Sequence, residues 1–161
     1  GAQGVGRDGV DKRIDVIATA LRAGVTAPAL ADLELAYAPP FSSAKDPVNM
    51  LGYIAENLMS GITETGQWSE LDKYKAEGYA FIDVRSASEY ANGTIPGSVN
   101  IPVDEMRERH IEITGKKVIV NCQVGQRGHV ATMLLRSLGY VAKNLDGGYL
   151  TWINSPAANL K

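Results

Sequence analysis

Short apolar runs alternate with amphipathic stretches from residue 69 onward, and this alternation constrains the fold more than any other feature of the sequence. The apolar runs are rich in β-branched residues and are flanked by glycine or polar residues, which is typical of buried strands. We predict strands at 79–84, 98–101, 117–121 and 140–145. Because strands that alternate with helices pair in parallel, the sequence predicts an α/β fold with helices on both faces of a parallel sheet.

The helices between these strands are predicted from capping residues and from the spacing of apolar residues. Ser69 is placed to cap one helix, and 86–89 has the Ser-x-x-Glu spacing of a capping box. A longer helix is predicted at 128–138. Its core-facing residues are predicted to be Val130, Leu134 and Leu138.

Residues 1–60 follow a different pattern, in which we predict helices and no strands. Gly24 is placed to end the first helix, Thr26 to cap a second, and Asp46-Pro47 to open a third. The third helix carries an apolar face formed by Met50, Leu51, Ile54 and Leu58. Such short helices make a poor independent core, so we expect this domain to pack on other domains or on a second subunit. A second domain is predicted at 61–161.

The composition excludes several classes of protein. The formal net charge is −2, which provides no basic field for nucleic acid, and no nucleic-acid partner is expected. No apolar run approaches the roughly 18 residues of a membrane span, so no membrane association is expected. Cys122 is the only cysteine, and no disulfide can form within the chain. This suits a reducing cytoplasm, which is the expected location.

Cys122 follows a predicted strand at the position where open α/β folds bind their ligands. A glycine-containing loop and the start of a helix come directly after it. The predicted anion-binding loop consists of Gln123, Val124, Gly125, Gln126 and Arg127. Inward-pointing amides and the helix N-terminus would stabilise a thiolate or a persulfide, Gly125 allows the backbone to bend, and Arg127 supplies a cation. A lone cysteine is more often a small buried apolar residue, so the functional interpretation rests on this loop.

Three ordered motifs resemble the rhodanese domains. Cys-x-x-Gly-x-Arg at 122–127 resembles their active-site loop, and 83–102 resembles their Asp-x-Arg…Glu-Tyr…Gly-His-Ile-Pro-Gly…Asn-Ile-Pro motif, with Thr94 in the position that is usually histidine. The stretch 145–152 resembles the closing Asp-Gly-Gly…Trp. The resemblance covers about 62–156 and implies a rhodanese fold.

The resemblance also implies a sulfurtransferase in which Cys122 is the catalytic nucleophile and needs no metal. The thiolate would take a sulfur atom from a small donor, such as thiosulfate or a persulfide, and pass it to a thiol or to cyanide. Asp83 and Arg85 are expected to support the loop through buried hydrogen bonds or a salt bridge. Glu89 is expected to cap its helix, and Trp152 to anchor the core.

Other chemistries remain as alternatives. Phosphatases of related fold use a loop that is one residue longer, and residue 128 is glycine, so the loop favours sulfur transfer over phosphoryl transfer. A non-catalytic rhodanese-like binding module and a redox sensor that oxidises Cys122 are the other hypotheses. His110 and His129 are not favoured as bases, because the loop alone can stabilise a thiolate.

The stretches 11–21 and 35–49 resemble the end of the dimerisation domain of flavin- and pyridine-nucleotide-dependent disulfide reductases, in particular the coenzyme A-disulfide reductase and NADH oxidase-like enzymes. Some of these enzymes end in a rhodanese domain. The resemblance implies a fragment of such a fusion enzyme, a homodimer through 1–60, and coenzyme A persulfide as a further donor. FAD and NAD(P)H are expected only in a full-length enzyme, because Gly4-Val5-Gly6-Arg7-Asp8-Gly9 lacks the strand that precedes a dinucleotide-binding motif. Tyr37 is expected to pack at a subunit interface.

Overall fold

The structure is a computed structural model that describes residues 1–40 and 42–159. Phe41, in the stretch that resembles the reductases, and residues 160–161, at the end of the second predicted domain, lie outside the described residues. The chain divides into two compact units, residues 1–61 and residues 62 onward. No helix among the described residues is both long enough and apolar enough to cross a membrane.

The described residues of the first unit form two α-helices and a short 3₁₀ helix. Helix α1 is Val10–Arg22, the 3₁₀ helix is Pro28–Asp32, and α2 is Pro47–Met59. Its small core is formed by Ala20, Leu30 and Val48. The prediction that Thr26 caps a second α-helix is wrong, because the 3₁₀ helix starts after Ala27 and has no side-chain cap.

Helix α2 begins at a complete capping box and presents an exposed apolar face. The Asp46 carboxylate accepts from the Val48 amide and forms a salt bridge of 3.0 Å with Arg13. The buried residues of this helix are Val48, Asn49 and Gly52. Gly52 lies so close to the Ala31 backbone that a Cβ at this position would collide with it. The predicted apolar face is exposed at all of its positions, which are Met50, Leu51, Ile54 and Leu58.

The second unit contains a parallel sheet of five strands. The strands are β1 (Thr65–Gly66), β2 (Ala80–Asp83), β3 (Ser98–Asn100), β4 (Lys117–Asn121) and β5 (Val141–Leu145), in the order β1-β5-β4-β2-β3. Every neighbouring pair is parallel, which confirms the predicted fold class. Strand β1 was not predicted, since two residues show no alternation from which a strand could be recognised.

The helices of this unit are α3 (Leu71–Ala76), α4 (Ala87–Ala91), α5 (Met106–Arg109), α6 (Gln126–Ser137) and α7 (Gly148–Ile153). The Ser86 capping box of α4 is confirmed: the Ser86 hydroxyl accepts from the Glu89 amide, and the Glu89 carboxylate accepts from the Ser86 amide. The prediction for Ser69 is wrong, because this residue lies inside a 3₁₀ turn at Trp68–Glu70 and α3 begins two residues later without a side-chain cap.

Alternate residues of the strands face two separate apolar layers. Val118 and Val120 of β4 pack with Met106 and Leu135 on one face of the sheet. Ile119 packs on the other face, in a cluster that includes Trp152, which is buried as predicted.

The inward face of α6 differs from the prediction. Val130 and Leu138 are exposed and Leu134 is only partly buried, whereas the buried residues are Gly128, Ala131, Thr132 and Leu135. The reason is the close approach of α6 to the sheet: a Cβ at position 128 would collide with the Asn144 side chain of β5. Small residues therefore mark the contact face, and the spacing of the larger apolar residues does not.

Substitutions on α6 test this assignment. Leu135→Ala should lower the free energy of unfolding by about 2–5 kcal/mol, because Leu135 is fully buried. Val130→Ala, on the same helix, should change it by less than about 0.5 kcal/mol. Urea denaturation followed by circular dichroism measures both values, and a larger loss for Val130→Ala would contradict the structure.

Candidate active site

Strands β2 and β4 place the predicted site residues at one edge of the sheet. Asp83 ends β2 and pairs in register with Asn121, which ends β4. Cys122 follows at once, and Arg85 lies two residues beyond β2. Because parallel strands end at the same edge, residues that are far apart in the sequence meet around Cys122.

The loop after β4 directs a main-chain amide at the cysteine. The Gly125 N–H donates to Cys122 Sγ at 3.1 Å. Gly125 has φ +119°, which glycine adopts readily and other residues rarely do, and α6 starts at the next residue. The sulfur therefore faces both an amide and the positive end of the α6 dipole.

The Cys122 side chain lies buried beneath the loop. The residue is 1% exposed and packs with the apolar layer that includes Ile82 and Val120. Above it, Val124 and Gln126 are exposed and Gln123 is half-buried. One side of the thiol thus contacts the core, and its other side contacts the loop backbone.

Asn144 fixes the loop from below. Its Nδ2 donates to the Gly125 carbonyl at 3.1 Å, and the His129 amide donates to the same oxygen at 2.8 Å. Sequence reasoning missed Asn144. The available signal was an amide side chain inside the apolar run of β5, where a polar group needs a partner.

The start of α7 holds the other end of the loop. The Tyr149 amide donates to the Cys122 carbonyl at 2.8 Å, and the Leu150 amide donates to the Gln123 carbonyl at 3.0 Å. Gly148 has φ +58°, and a Cβ there would collide with the Cys122 carbonyl. The Gly-Gly pair before Tyr149 thus permits this close approach.

Asp83 and Arg85 form a buried salt bridge of 2.7 Å. Arg85 also donates to Gln123 Oε1 at 3.3 Å, and its guanidinium lies 4.1 Å from the centre of the Tyr149 ring. Thr94, which occupies the usual histidine position, donates to Asp83 Oδ2 at 2.9 Å. The pair therefore links β2 to the loop and to α7.

Arg127 is paired with a carboxylate that the sequence assigned only to a cap. Its two terminal nitrogens donate to the two oxygens of Glu89, each at 2.7 Å. Both side chains are about one-third exposed, at 38% and 34%. The hydrogen bonds from Arg127 lower the pKa of Glu89 to about 2. The same bonds raise the pKa of Arg127, with a smaller contribution from Cys122.

The two histidines occupy other positions. His129 Nδ1 lies 3.1 Å from the Thr63 hydroxyl. His110 precedes β4, at the opposite edge of the sheet from Cys122, and its ring packs edge-on against Tyr140. The Cys122 side chain accordingly contacts the loop backbone and the apolar core.

Comparison with known proteins agrees with this geometry. The model of the rhodanese-like domain family matches residues 67–155. This chain belongs to that family. Human thiosulfate:glutathione sulfurtransferase is 39% identical over 101 residues, which cover 52% of this chain and 88% of the relative. The rhodanese resemblance is thus confirmed, and the family supports an enzyme of the sulfurtransferase type.

The chain is also similar to proteins that are named as reductases. Coenzyme A disulfide reductase of Staphylococcus haemolyticus is 53% identical over 57 residues, which cover 35% of this chain and 13% of the relative. The crystal structure of reduced Bacillus anthracis CoADR-RHD matches with a TM-score of 0.87 and 52% identity, covering 91% of this chain and 27% of that chain. A NAD-dependent persulfide reductase from A. fulgidus matches with a TM-score of 0.79 and 39% identity, covering 92% and 26%.

These matches confirm the resemblance to the C-terminal end of a coenzyme A-disulfide reductase. The chain spans about a quarter of the length of each of these two structures.

The ion pair between Glu89 and Arg127 gives a pH-dependent stability. Because the pKa of folded Glu89 is depressed from 4.5 to about 2, its contribution is present above pH 4.5 and is lost as the pH falls toward 2. Glu89→Gln should lower the free energy of unfolding by less than about 1 kcal/mol near neutral pH, since the pair is partly exposed. Gln at this position can still accept from the Ser86 amide through its one oxygen, so the substitution retains the capping box and removes the charge together with one of the two hydrogen bonds from Arg127.

Urea unfolding of both proteins across pH measures the difference. It should be constant from pH 5 to 8, in the range where Glu89 stays ionised in both states, and should shrink at lower pH. A difference that grows as the pH falls would contradict the assignment.

Proposed function

We propose that this chain is a sulfurtransferase that carries sulfane sulfur as a persulfide on Cys122. The observation that carries the proposal is the hydrogen bond of 3.1 Å from the Gly125 amide to Cys122 Sγ, at the start of α6. This arrangement favours a negative charge on sulfur, and a thiolate and a persulfide both bear one. Membership of the rhodanese-like family supports the same chemistry.

The first half-reaction loads the cysteine. The Cys122 thiolate attacks the outer sulfur of the donor, a bond forms between the two sulfurs, and the sulfur–sulfur bond of the donor breaks. The leaving group takes the electron pair: thiosulfate releases sulfite, and an organic persulfide releases a thiolate. The product is a cysteine persulfide whose terminal sulfur keeps the negative charge.

The second half-reaction unloads it. A thiolate acceptor or cyanide attacks the terminal sulfur, and the bond from that sulfur to Cys122 Sγ breaks. The acceptor leaves as a persulfide or as thiocyanate, and Cys122 returns as a thiolate. The transferred sulfur has the same oxidation level in the donor, in the cysteine persulfide and in the product, so the cycle needs no external oxidant or reductant.

The remaining site residues hold the loop in its conformation. Asn144 holds the Gly125 carbonyl, and Arg85 holds the Gln123 side chain, so the loop keeps its shape while the charge stays on sulfur. This is preorganisation, in which dipoles are aimed at a charge before the reaction begins. The requirement for a reduced thiol favours the cytoplasm as the location.

Loading of Cys122 tests the proposal. After incubation with thiosulfate or polysulfide, mass spectrometry should find one added sulfur on the peptide that contains Cys122, and a reducing thiol should remove it. Cys122→Ser should take up none and should form no thiocyanate from thiosulfate and cyanide.

Three results would contradict the sulfurtransferase. Equal thiocyanate formation by the wild type and Cys122→Ser would remove the catalytic role. Oxygen addition to Cys122 without sulfur uptake would favour the redox-sensing alternative. A folded wild-type protein that takes up neither would favour the non-catalytic binding module.

We further propose that the chain is the C-terminal part of a coenzyme A-disulfide or persulfide reductase that uses FAD and NAD(P)H. The support is the resemblance of 11–21 and 35–49 to the dimerisation domain of such reductases, together with the 53% identity over 57 residues to a coenzyme A disulfide reductase. The exposed apolar face of α2 fits burial against a further domain or a second copy, as the proposed homodimer requires. In such an enzyme, coenzyme A persulfide would be the donor for Cys122.

A longer polypeptide tests this fusion. A protein in which a flavin-binding reductase sequence precedes residue 1 should show the absorption bands of bound flavin and should reduce a persulfide with NADH or NADPH. Residues 1–161 alone should show neither property. Flavin bound stoichiometrically by residues 1–161 would overturn this assignment.

A further inference from the structure

Two arginines lie beside the loop of Cys122, and each is matched by a carboxylate. Arg85 is paired with Asp83 inside the fold, and Arg127 is paired with Glu89 at the rim. The four side chains therefore sum to no net charge. What remains for a bound anion is the loop backbone and the α6 N-terminus, which together offer about half of a positive charge.

The ion pair between Glu89 and Arg127, here called the rim pair, is held by several hydrogen bonds. The Glu89 carboxylate accepts from both terminal nitrogens of Arg127 in a bidentate arrangement. One of its oxygens also accepts from the Ser86 amide at 2.9 Å and from the Ser86 hydroxyl at 3.0 Å. The cap of α4 thus holds Glu89 in place, and the charge of Arg127 is compensated where a donor would approach.

We propose that Glu89 determines the donor class of the site, selecting donors with a single negative charge at the sulfur-bearing end, such as organic persulfides, over dianionic thiosulfate. The inference rests on the sulfurtransferase proposed above. The neutral set of side chains matches one charge on sulfur, whereas a second charge on the leaving group would meet Arg85 and Arg127, which are both already paired with carboxylates. Glu89 acts through Arg127 and is a positioning residue.

Two donors with the same attacked sulfur test this selection. Thiosulfate carries two negative charges, and methanethiosulfonate carries one. Both lose a sulfur–sulfur bond to the same nucleophile, so the ratio of their kcat/KM values reports the charge of the leaving group. Cyanide is the acceptor in both assays.

Glu89→Gln frees the Arg127 charge while it keeps the capping box. An unpaired cation near the donor is worth about fivefold for each negative charge in a water-like dielectric. The ratio of thiosulfate to methanethiosulfonate should therefore rise about fivefold, and it should fall back as salt is added. Arg127→Gln should lower the ratio by a similar factor.

The double variant Glu89→Gln/Arg127→Gln restores neutrality and should return the ratio to that of the wild type. If one of the two single variants fails to fold, the other single variant and the double variant still test the proposal. Glu112→Gln is the matched control: it also removes a carboxylate paired with an arginine, Arg109, but it lies before β4, at the opposite edge of the sheet. It should leave the ratio unchanged.

The outcomes separate this inference from the proposed function. If the wild type and the control load sulfur on Cys122 but the ratio does not follow the charge of the rim pair, the selection by Glu89 is overturned and the sulfurtransferase stands. If Glu89→Gln lowers kcat/KM by the same factor for both donors, Glu89 only maintains the conformation of the loop. If the folded wild type loads sulfur from neither donor, both proposals fail.

Discussion

The site depends on one hydrogen bond, from the Gly125 amide to the sulfur of Cys122. A thiol at the end of a buried strand would otherwise pack as an apolar side chain, and one side of Cys122 does so. The amide can point inward only because Gly125 adopts a positive φ and because Asn144 and the start of α6 hold the Gly125 carbonyl on the other side. The parallel sheet therefore matters to the chemistry mainly as the frame that brings β4, β5 and α6 together beneath this loop.

Charge is distributed around this bond in matched pairs. The salt bridge between Asp83 and Arg85 is inside the fold, where an unpaired arginine would cost several kcal/mol, so each member requires the other. The pair between Glu89 and Arg127 lies at the more exposed side of the loop and adds less to stability, and it neutralises the charge of Arg127. The positive character of the loop thus comes from peptide dipoles, which cannot be titrated away near neutral pH.

The local elements of the fold could be predicted from the sequence, and contacts between distant elements could not. Strand 117–121 and the capping box at Ser86 were predicted with the observed residues, because each depends on neighbours in the chain. The inward face of α6 was misassigned, because the contact there depends on Gly128 and its fit to Asn144. The pairing of Glu89 with Arg127 was missed for a related reason: the two residues meet only after β2 and β4 are aligned. The positions of Cys122, Gly125 and Arg127 follow from the Cys-x-x-Gly-x-Arg loop.

The central claim is that the loop backbone stabilises an extra sulfur on Cys122. A crystal structure of the chain after exposure to polysulfide tests it most directly. We expect electron density for a second sulfur bonded to Cys122 Sγ, enclosed by residues 123–127, with loop amides directed at it. Density for an unmodified thiol in a loaded crystal, or a second sulfur on a loop whose amides turn outward, would contradict it.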